Sequence, residues 1–407
     1  MSSKKYDVIV VGARCAGASI ALLLARAGVR VLLVDRARLP NDILSTHTVQ
    51  LSGLACLEKW GLLSRLLPRG CQPYRHISMD FGDFSFTGAP PAAGDVADTI
   101  CCRRTVLDAV LLEAAIEAGV EWRGGFPVQE LITDNGKVAG ILNRGHSKSP
   151  VVEKASLVIG ADGMRSTVAR LVNADAYSTV PSLTFSFYSY WDNIDIEHAH
   201  LYVRDGCAMA MIPTNDRATI VVVQQRLDQF GAFRKNIAHS FLQAWEAIPG
   251  AVERLSAGTR LEPFKGTPYQ PNFFRKPWGD GWALVGDAGS HKDSVTAQGI
   301  GNTFYDAEFL ADALITGLSG ESCMDTALAA YHQKRDAYLL PIYRRTLEVA
   351  KLELPTGRMK RIFEAMANNP QQRNHFLGID AGTVHPDHFF SDENIRLILA
   401  EVEQKPA

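Results

Sequence analysis

The stretch Tyr6–Asp35, YDVIVVGARCAGASIALLLARAGVRVLLVD, decides the fold. Tyr6 to Val11 is a mostly β-branched apolar run, the pattern of a strand buried on both faces. Ala16 to Ala27 is small and apolar at helical spacing, and Val29 to Val34 reads as a second strand. Strand, helix and strand in that order predict a right-handed crossover and a parallel sheet. The turn between the first strand and the helix is Gly12-Ala13-Arg14-Cys15-Ala16-Gly17. It departs from the dinucleotide fingerprint G-x-G-x-x-G at one place, where Arg14 replaces the middle glycine. An arginine there either adds a charge-assisted contact to phosphate or points outward. Asp35, followed by Arg36, closes the second strand about twenty residues on, where a carboxylate can hold ribose hydroxyls. Cys15 stands at a helix start whose dipole lowers a thiol pKa, although a small space-filling residue is the plainer reading.

The same kind of signal returns far along the chain. In GWALVGDAGSHKDSVTAQGIGNTFYDAEFLADAL, residues 281–314, an apolar run from Trp282 to Val285 ends in Gly286-Asp287-Ala288. A second glycine-rich turn, Gln298-Gly299-Ile300-Gly301-Asn302, opens a helix with Asp306, Ala307, Leu310, Ala311 and Leu314 at helical spacing. A carboxylate at a strand end can accept from the hydroxyls of a sugar-like chain, and a helix start offers backbone N–H groups to an anion. Between these motifs lies Leu157 to Ser166, LVIGADGMRS, a strand, a tight turn and a capped helix. There Asp162 either braces the pyrophosphate turn or caps the next helix. Arg103-Arg104-Thr105-Val106-Leu107-Asp108 opens another helix, from which Arg104 can reach a cofactor. One cofactor touched from both ends of the chain fits a flavin enzyme better than a simple dehydrogenase.

The rest of the chain is read around these motifs. Leu54 to Leu63 and Val106 to Ala118 read as helices, and Val128 to Leu142 as a hairpin turning at Asp134-Asn135-Gly136. From about Ser182 the pattern changes to alternating segments, Thr184–Trp191, 200–203, 207–212 and 218–224, which predict an antiparallel sheet. From Met324 the reading is helical, and Glu403 to Ala407 reads as a frayed tail. Of 407 residues 46% are hydrophobic and 21% charged, an ordinary globular balance. A formal net charge of −2 gives no general attraction to nucleic acid or anionic membrane. No run of about twenty uncharged apolar residues is present to form a transmembrane segment. The apolar stretch after Lys4-Lys5 is broken by Gly12 and Arg14, so no secretory signal is expected. The seven cysteines show neither metal nor disulfide spacing, which favours a cytoplasmic setting. His198-x-His200 and His385-x-x-His388 lack further ligands, so no metal site is expected.

Together these strings resemble the FAD-dependent monooxygenases of the para-hydroxybenzoate hydroxylase type, within a wider group containing flavin halogenases and geranylgeranyl reductases. Three motifs match in order: the turn at Gly12, the string Asp162-Gly163 and the string Gly286-Asp287. The likeness covers about residues 5–315. Ser45-Thr46-His47 through Trp60-Gly61-Leu62-Leu63 is similar to a bacterial subgroup of FAD-dependent oxidoreductases.

The resemblance implies non-covalent FAD, with Asp287 near the ribityl chain and Gly299, Ile300, Gly301 and Asn302 against the flavin ring. With Gly12, Arg14, Cys15, Ala16, Gly17, Asp35, Arg36, Arg104, Asp162 and Gly286 these form the expected cofactor site. The expected fold is α/β. A Rossmann-like FAD-binding domain (1–75, 98–178 and 265–322) carries an inserted antiparallel-sheet substrate domain (76–97 and 179–264) and a helical C-terminal region (323–407). The sheet is expected to wall the pocket with Phe187, Tyr188, Tyr190, Ala208, Ala210, Ile212 and Pro213. Alternation sends only one set of its side chains inward. His47 and His291 are the proton-relay candidates.

The expected reaction is reduction of FAD by NAD(P)H, formation of a flavin hydroperoxide with O2, and transfer of one oxygen atom to a small apolar or aromatic metabolite. A reductase or dehydrogenase acting on a carbon–carbon double bond is the second reading, and a halogenase or a non-catalytic flavoprotein a third. A homodimer is compatible with all of them. The chain departs from the hydroxylase pattern at Ser294, where proline is usual, and at Gly301, which precedes Asn302. It departs from the halogenase string W-x-W-x-I-P in keeping Ile212-Pro213 but carrying Ala208 and Ala210.

Overall fold

The computed structural model describes residues 6–45, 47–144 and 150–403. Thr46 and residues 404–407, which carried expectations above, lie outside them. The first strand is Val8–Val11, the first helix Cys15–Arg26 and the second strand Val31–Asp35. They build a sheet ordered Trp278–Gly279, Trp282–Leu284, Leu157–Gly160, Val8–Val11, Val31–Asp35 and Glu121–Gly124. All its pairings are parallel except the short one at Trp278–Gly279. The mixed sheet therefore brings together three strand ends distant in sequence, at Val11, Gly160 and Leu284. Each is followed directly by one of the three motifs.

Helices cover one face of this sheet. Cys15–Arg26 packs between Arg104–Glu117 and Gly299–Ser319. Ile20, Leu22, Leu107, Leu111, Leu310 and Leu314 share one buried cluster with strand residues Val8, Val10 and Leu33. Each such side chain contributes about 1.5–3 kcal/mol when fully buried. The expected hairpin is present as Glu130–Asp134 and Lys137–Asn143, with Asn135 at φ 51° and Gly136 at φ 81° in its turn. Expected helix Leu54–Leu63 divides into Leu51–Lys59 and Leu63–Leu66, because Gly61 takes a left-handed φ of 70°.

The second large sheet runs Thr259–Arg260, Thr184–Asp192, Thr219–Arg226, Cys207–Pro213, Ala199–Arg204, Ile77–Asp80 and Ser85–Gly88. Lys265–Thr267 pairs onto Thr184–Asp192, so a division at residue 265 cuts through this sheet. The sheet is antiparallel apart from Ile77–Asp80 beside Ala199–Arg204. Its register puts Ser186, Tyr188 and Tyr190 on one face with Ala208, Ala210 and Ile212. Phe185, Phe187 and Trp191 occupy the other face, packed with Phe233, Phe241 and Trp245. The C-terminal helices Gly357–Ala367 and Pro370–Ala381 cover the tyrosine face through Ile362, Met366, Phe376 and Leu377.

Helices Leu51–Lys59 and Gly299–Ser319 meet at two glycines. A Cβ on Gly53 would lie 2.7 Å from the Gly301 Cα, and no flexible side chain is there to give way. Gly53→Val is expected to destabilise the protein by about 1–3 kcal/mol, the usual range for overpacking. Gly231→Ala, at a helical position with no atom within 4 Å of the added Cβ, is expected to be neutral or stabilising. Urea midpoints of the two variants check both expectations.

Candidate functional site

A cavity of about 860 Å³ lies where the two sheets meet. Its size is that of a pocket for a cofactor or drug-sized ligand, ~300–1,000 Å³. All three motifs open onto it. Its wall contains Gly12, Arg14, Cys15, Ala16, Asp35, Arg36, Arg104, Asp162, Gly286, Asp287, Gly299, Ile300 and Asn302 of the expected cofactor residues. Tyr188 and His291 also line it.

Backbone geometry makes the first turn. Gly12 has φ 100°, and a Cβ there would sit 2.4 Å from the Ala161 carbonyl oxygen. The turn can therefore lie against the Asp162 segment only with glycine at this position. Asp35 accepts from Ala13 N at 2.9 Å and from Ala37 N at 2.8 Å, which fixes its carboxylate at the cavity edge. Arg14 neither points outward nor stands free. It bonds Asp108 at 3.1 Å and also holds Asn41. Arg104 donates to the same Asp108 at 2.8 and 3.1 Å. Asp108 is thus a buried acid beneath two guanidiniums, and the sequence reading quoted it without giving it a role. The i, i+4 spacing from Arg104 was the available signal. Cys15 donates to Asp108 at 3.4 Å, and burial pushes its thiol up, opposite to the helix-dipole effect.

Ser166 is the N-cap of the next helix, accepting from Ala169 N at 3.0 Å, and Asp162 braces that cap. It accepts from Ser166 Oγ and from Thr167 N at 2.6 Å, so it satisfies the next helix start while lining the cavity. Gly286 has φ 62°, and a Cβ on it would strike the Ala16 side chain at 2.8 Å. This contact joins the first and last motifs. Gly286 N donates to Asp306 at 2.7 Å, and Tyr331 reaches both Asp306 at 2.9 Å and the Leu284 carbonyl at 2.8 Å. Asp306 is completely enclosed. Burial pushes its carboxyl up to about 6, against the pull of Arg335. The turn so held presents Asp287 to the cavity, exposed and with no hydrogen bond or ion pair among the described residues.

Other expectations resolve differently. Gly17 and Gly301 are packing glycines outside the cavity, against the Gly12 carbonyl and Gly53 respectively. Phe187 faces the opposite side of the sheet, and Tyr190, Ala208, Ala210, Ile212 and Pro213 also lie off the cavity wall. The C-terminal helices pack against the face that carries Ala210 and Ile212. His47 is buried just behind the wall at φ 66°, bonded to Tyr190 and stacked on its ring at 5.8 Å. Burial, reinforced by Arg104, lowers it to about 3, so its ring is neutral at neutral pH. His291 Nδ1 bonds the Pro271 carbonyl, a structural tie. No three His, Cys, Asp or Glu side chains cluster as metal ligands among the described residues.

The sequence reading also missed the network that joins the two sheets. Asp293 accepts from Thr184 at 2.6 Å and Gln224 at 2.7 Å, while Asn272 accepts from Asp293 N at 2.7 Å. These residues are scattered singly through the chain, and nothing local marks them.

Residues 5–346 match the family of the FAD binding domain. The chain belongs to that family. It is an FAD-dependent oxidoreductase, and the cavity fits the group the family binds. The tight turns at Gly12 and Gly286, two helix starts and an unpartnered carboxylate all line one space. The chain is 25% identical over 368 residues to a probable electron transfer flavoprotein-quinone oxidoreductase YgcN of Escherichia coli (strain K12), covering 84% of this chain and 81% of that one. It is 25% identical over 371 residues to the 6-methylpretetramide 4-monooxygenase of Streptomyces rimosus, covering 87% and 85%. The flavin-dependent brominase Bmp2 shares its fold, with a TM-score of 0.80 at 16% identity over 98% of each chain. No helix among the described residues is long and apolar enough to cross a membrane.

Two variants probe the last motif. Asp287→Arg is expected to fold but to bind FAD more than about tenfold more weakly, the loss of one charge-assisted hydrogen bond. Flavin absorbance of the purified protein and FAD titration read this, and full occupancy would sink the assignment. Asp306 titrates above its unfolded value, so the native state holds its proton between about pH 4 and 6. Stability from this group is present below that window and is lost as pH rises through it. Asp306→Asn keeps the shape without the charge. Its stability relative to wild type should therefore rise by up to about 3 kcal/mol from pH 4 to pH 6.5, measured by urea unfolding.

Proposed function

We propose that this protein is an NAD(P)H-dependent, O2-using monooxygenase that inserts one oxygen atom into a small apolar or aromatic metabolite. The observation that carries the reading is the unpartnered Asp287, presented into a cavity shared by the dinucleotide-type sheet and the antiparallel sheet. In this reading Gly12, Ala16, Asp35, Arg36 and Arg104 hold the nucleotide half of FAD. Asp287 accepts from its ribityl hydroxyls. Gly299, Ile300 and Asn302 set the helix start against its ring. Bound FAD supplies the electron transfer from nicotinamide to oxygen that no side chain can perform.

The chain's own groups position and enclose. Asp35 and Asp287 accept hydrogen bonds from hydroxyls at opposite ends of the site. Tyr188 offers the wall a phenol, itself tied to Ser45 N at 3.3 Å and to the Ile43 carbonyl at 3.4 Å. The C-terminal helices over the tyrosine face keep water from that side. Residues 6–75, 98–178 and 268–322 form the cofactor part, and 76–97 and 179–267, including the strand Lys265–Thr267, the substrate part. Seven free cysteines suit a cytoplasmic enzyme, and a homodimer is compatible with this reading.

The Streptomyces relative supports the oxygenase reading, because its likeness spans most of both chains. The Escherichia coli relative favours a second one, a reductase or dehydrogenase that passes electrons without oxygen. A halogenase is disfavoured by Ala208 and Ala210. Oxygen separates the two main readings. Small aromatic compounds should stimulate NAD(P)H oxidation, and mass spectrometry should find one atom from labelled dioxygen in the product. Substrate-dependent oxidation that continues through many turnovers without oxygen would refute the monooxygenase reading and favour the reductase.

A further inference from the structure

The cavity wall carries five cationic side chains, Arg14, Arg36, Arg104, Arg165 and Lys292. Four are accounted for. Arg14 and Arg104 are committed to Asp108. Arg165 lies over the Tyr269 ring at 4.8 Å. Arg36 is exposed at the Asp35 end. Lys292 is half-buried where Arg36 is exposed, and it has no hydrogen bond or ion pair among the described residues.

The acids around Lys292 do not supply the missing acceptor. Those whose charge it feels are Asp287, Asp380 and Asp293. Asp293 is engaged by Thr184, Gln224 and Val295 N, and Asp380 by Arg345. Asp287 is uncommitted but beyond ion-pair reach, and it points to the same cavity. Burial lowers the Lys292 ammonium to about 8, against the pull of these three acids. A half-buried ammonium that lines a cavity and has no acceptor in the protein is costly, so its natural acceptor is whatever occupies the cavity.

Position along the chain narrows the choice. Lys292 falls between the Asp287 turn and the start of helix Gly299–Ser319, and residues from both line the cavity with it. A helix start carries partial positive charge. Two positive features thus face the ring end of the proposed site with no acid bound to either. That arrangement suits a group that becomes negative during the reaction better than one that is negative throughout. A point charge near a flavin ring tunes its electronics in this way.

We infer that Lys292 is the cation that stabilises the negative charge taken up by the flavin ring on reduction. The inference rests on the proposed FAD site. It assigns to Lys292 a differential role, stronger toward reduced than toward oxidised cofactor. A purely structural lysine, balancing the three acids, would contribute to folding and leave the redox balance alone.

The test compares wild type, K292M, K292Q and K292R. FAD affinity is measured by titration, and midpoint potential by reduction in equilibrium with a reference dye. K292M and K292Q should retain oxidised FAD. Their preference for reduced over oxidised flavin should fall at least about tenfold, a negative shift of about 30 mV for a two-electron couple. K292R should keep a potential close to that of wild type. A flavin-loaded neutral variant at the wild-type potential overturns the inference, as does equal loss of both redox states. Wild-type protein that takes up no FAD would instead overturn the function reading itself, so the two failures are distinguishable.

Discussion

The buried carboxylate of Asp306 is the constraint on which the site depends. It accepts from the backbone of Gly286 and from Tyr331, and Tyr331 also reaches the carbonyl of Leu284. A strand end, the helix Gly299–Ser319 and the helix Met324–Val349 are thereby fixed to one another at one point. The cost of enclosing a carboxyl is visible in its raised pKa. What it secures is a turn at left-handed φ that delivers Asp287 to the cavity without a partner of its own. The exposed acid can serve a ligand because the enclosed one holds the backbone.

A similar division recurs across the site. Asp108 absorbs Arg14 and Arg104, and Asp293 ties the last motif to the antiparallel sheet through Thr184 and Gln224. These buried polar groups are satisfied by partners from distant segments, and those of Asp293 reach the antiparallel sheet. The cavity between the two sheets is left with uncommitted groups that include Asp287, Lys292, Arg36 and the backbone at two helix starts. A site of that kind supplies binding and electrostatics, and it leaves the redox chemistry to a cofactor.

Much of this was legible beforehand. The run Tyr6–Asp35 fixes strand, helix and strand by local pattern, and the strings at Asp162 and Asp287 mark two further strand ends. Alternation also gave the antiparallel strands within a residue or two of their observed limits. The substrate wall was not legible. A period of two fixes that Phe187 and Tyr188 face opposite ways but not which faces the pocket. The answer came from Phe233, Phe241 and Trp245 on one side and the C-terminal helices on the other. Gly301 was misread for a related reason. A glycine required by helix packing and one required by a ligand look the same in a sequence.

The sequence by itself determined the α/β class, the parallel core and the three turns that open on the cavity, because each depends on patterns within about thirty residues. Only the tertiary structure decided which acids are free and which are committed. Asp287 and Asp306 both belong to the run 281–314, yet one is exposed and the other enclosed. The difference is made by Tyr331 and by helix packing from another segment of the chain, and long-range burial of that kind leaves no local mark.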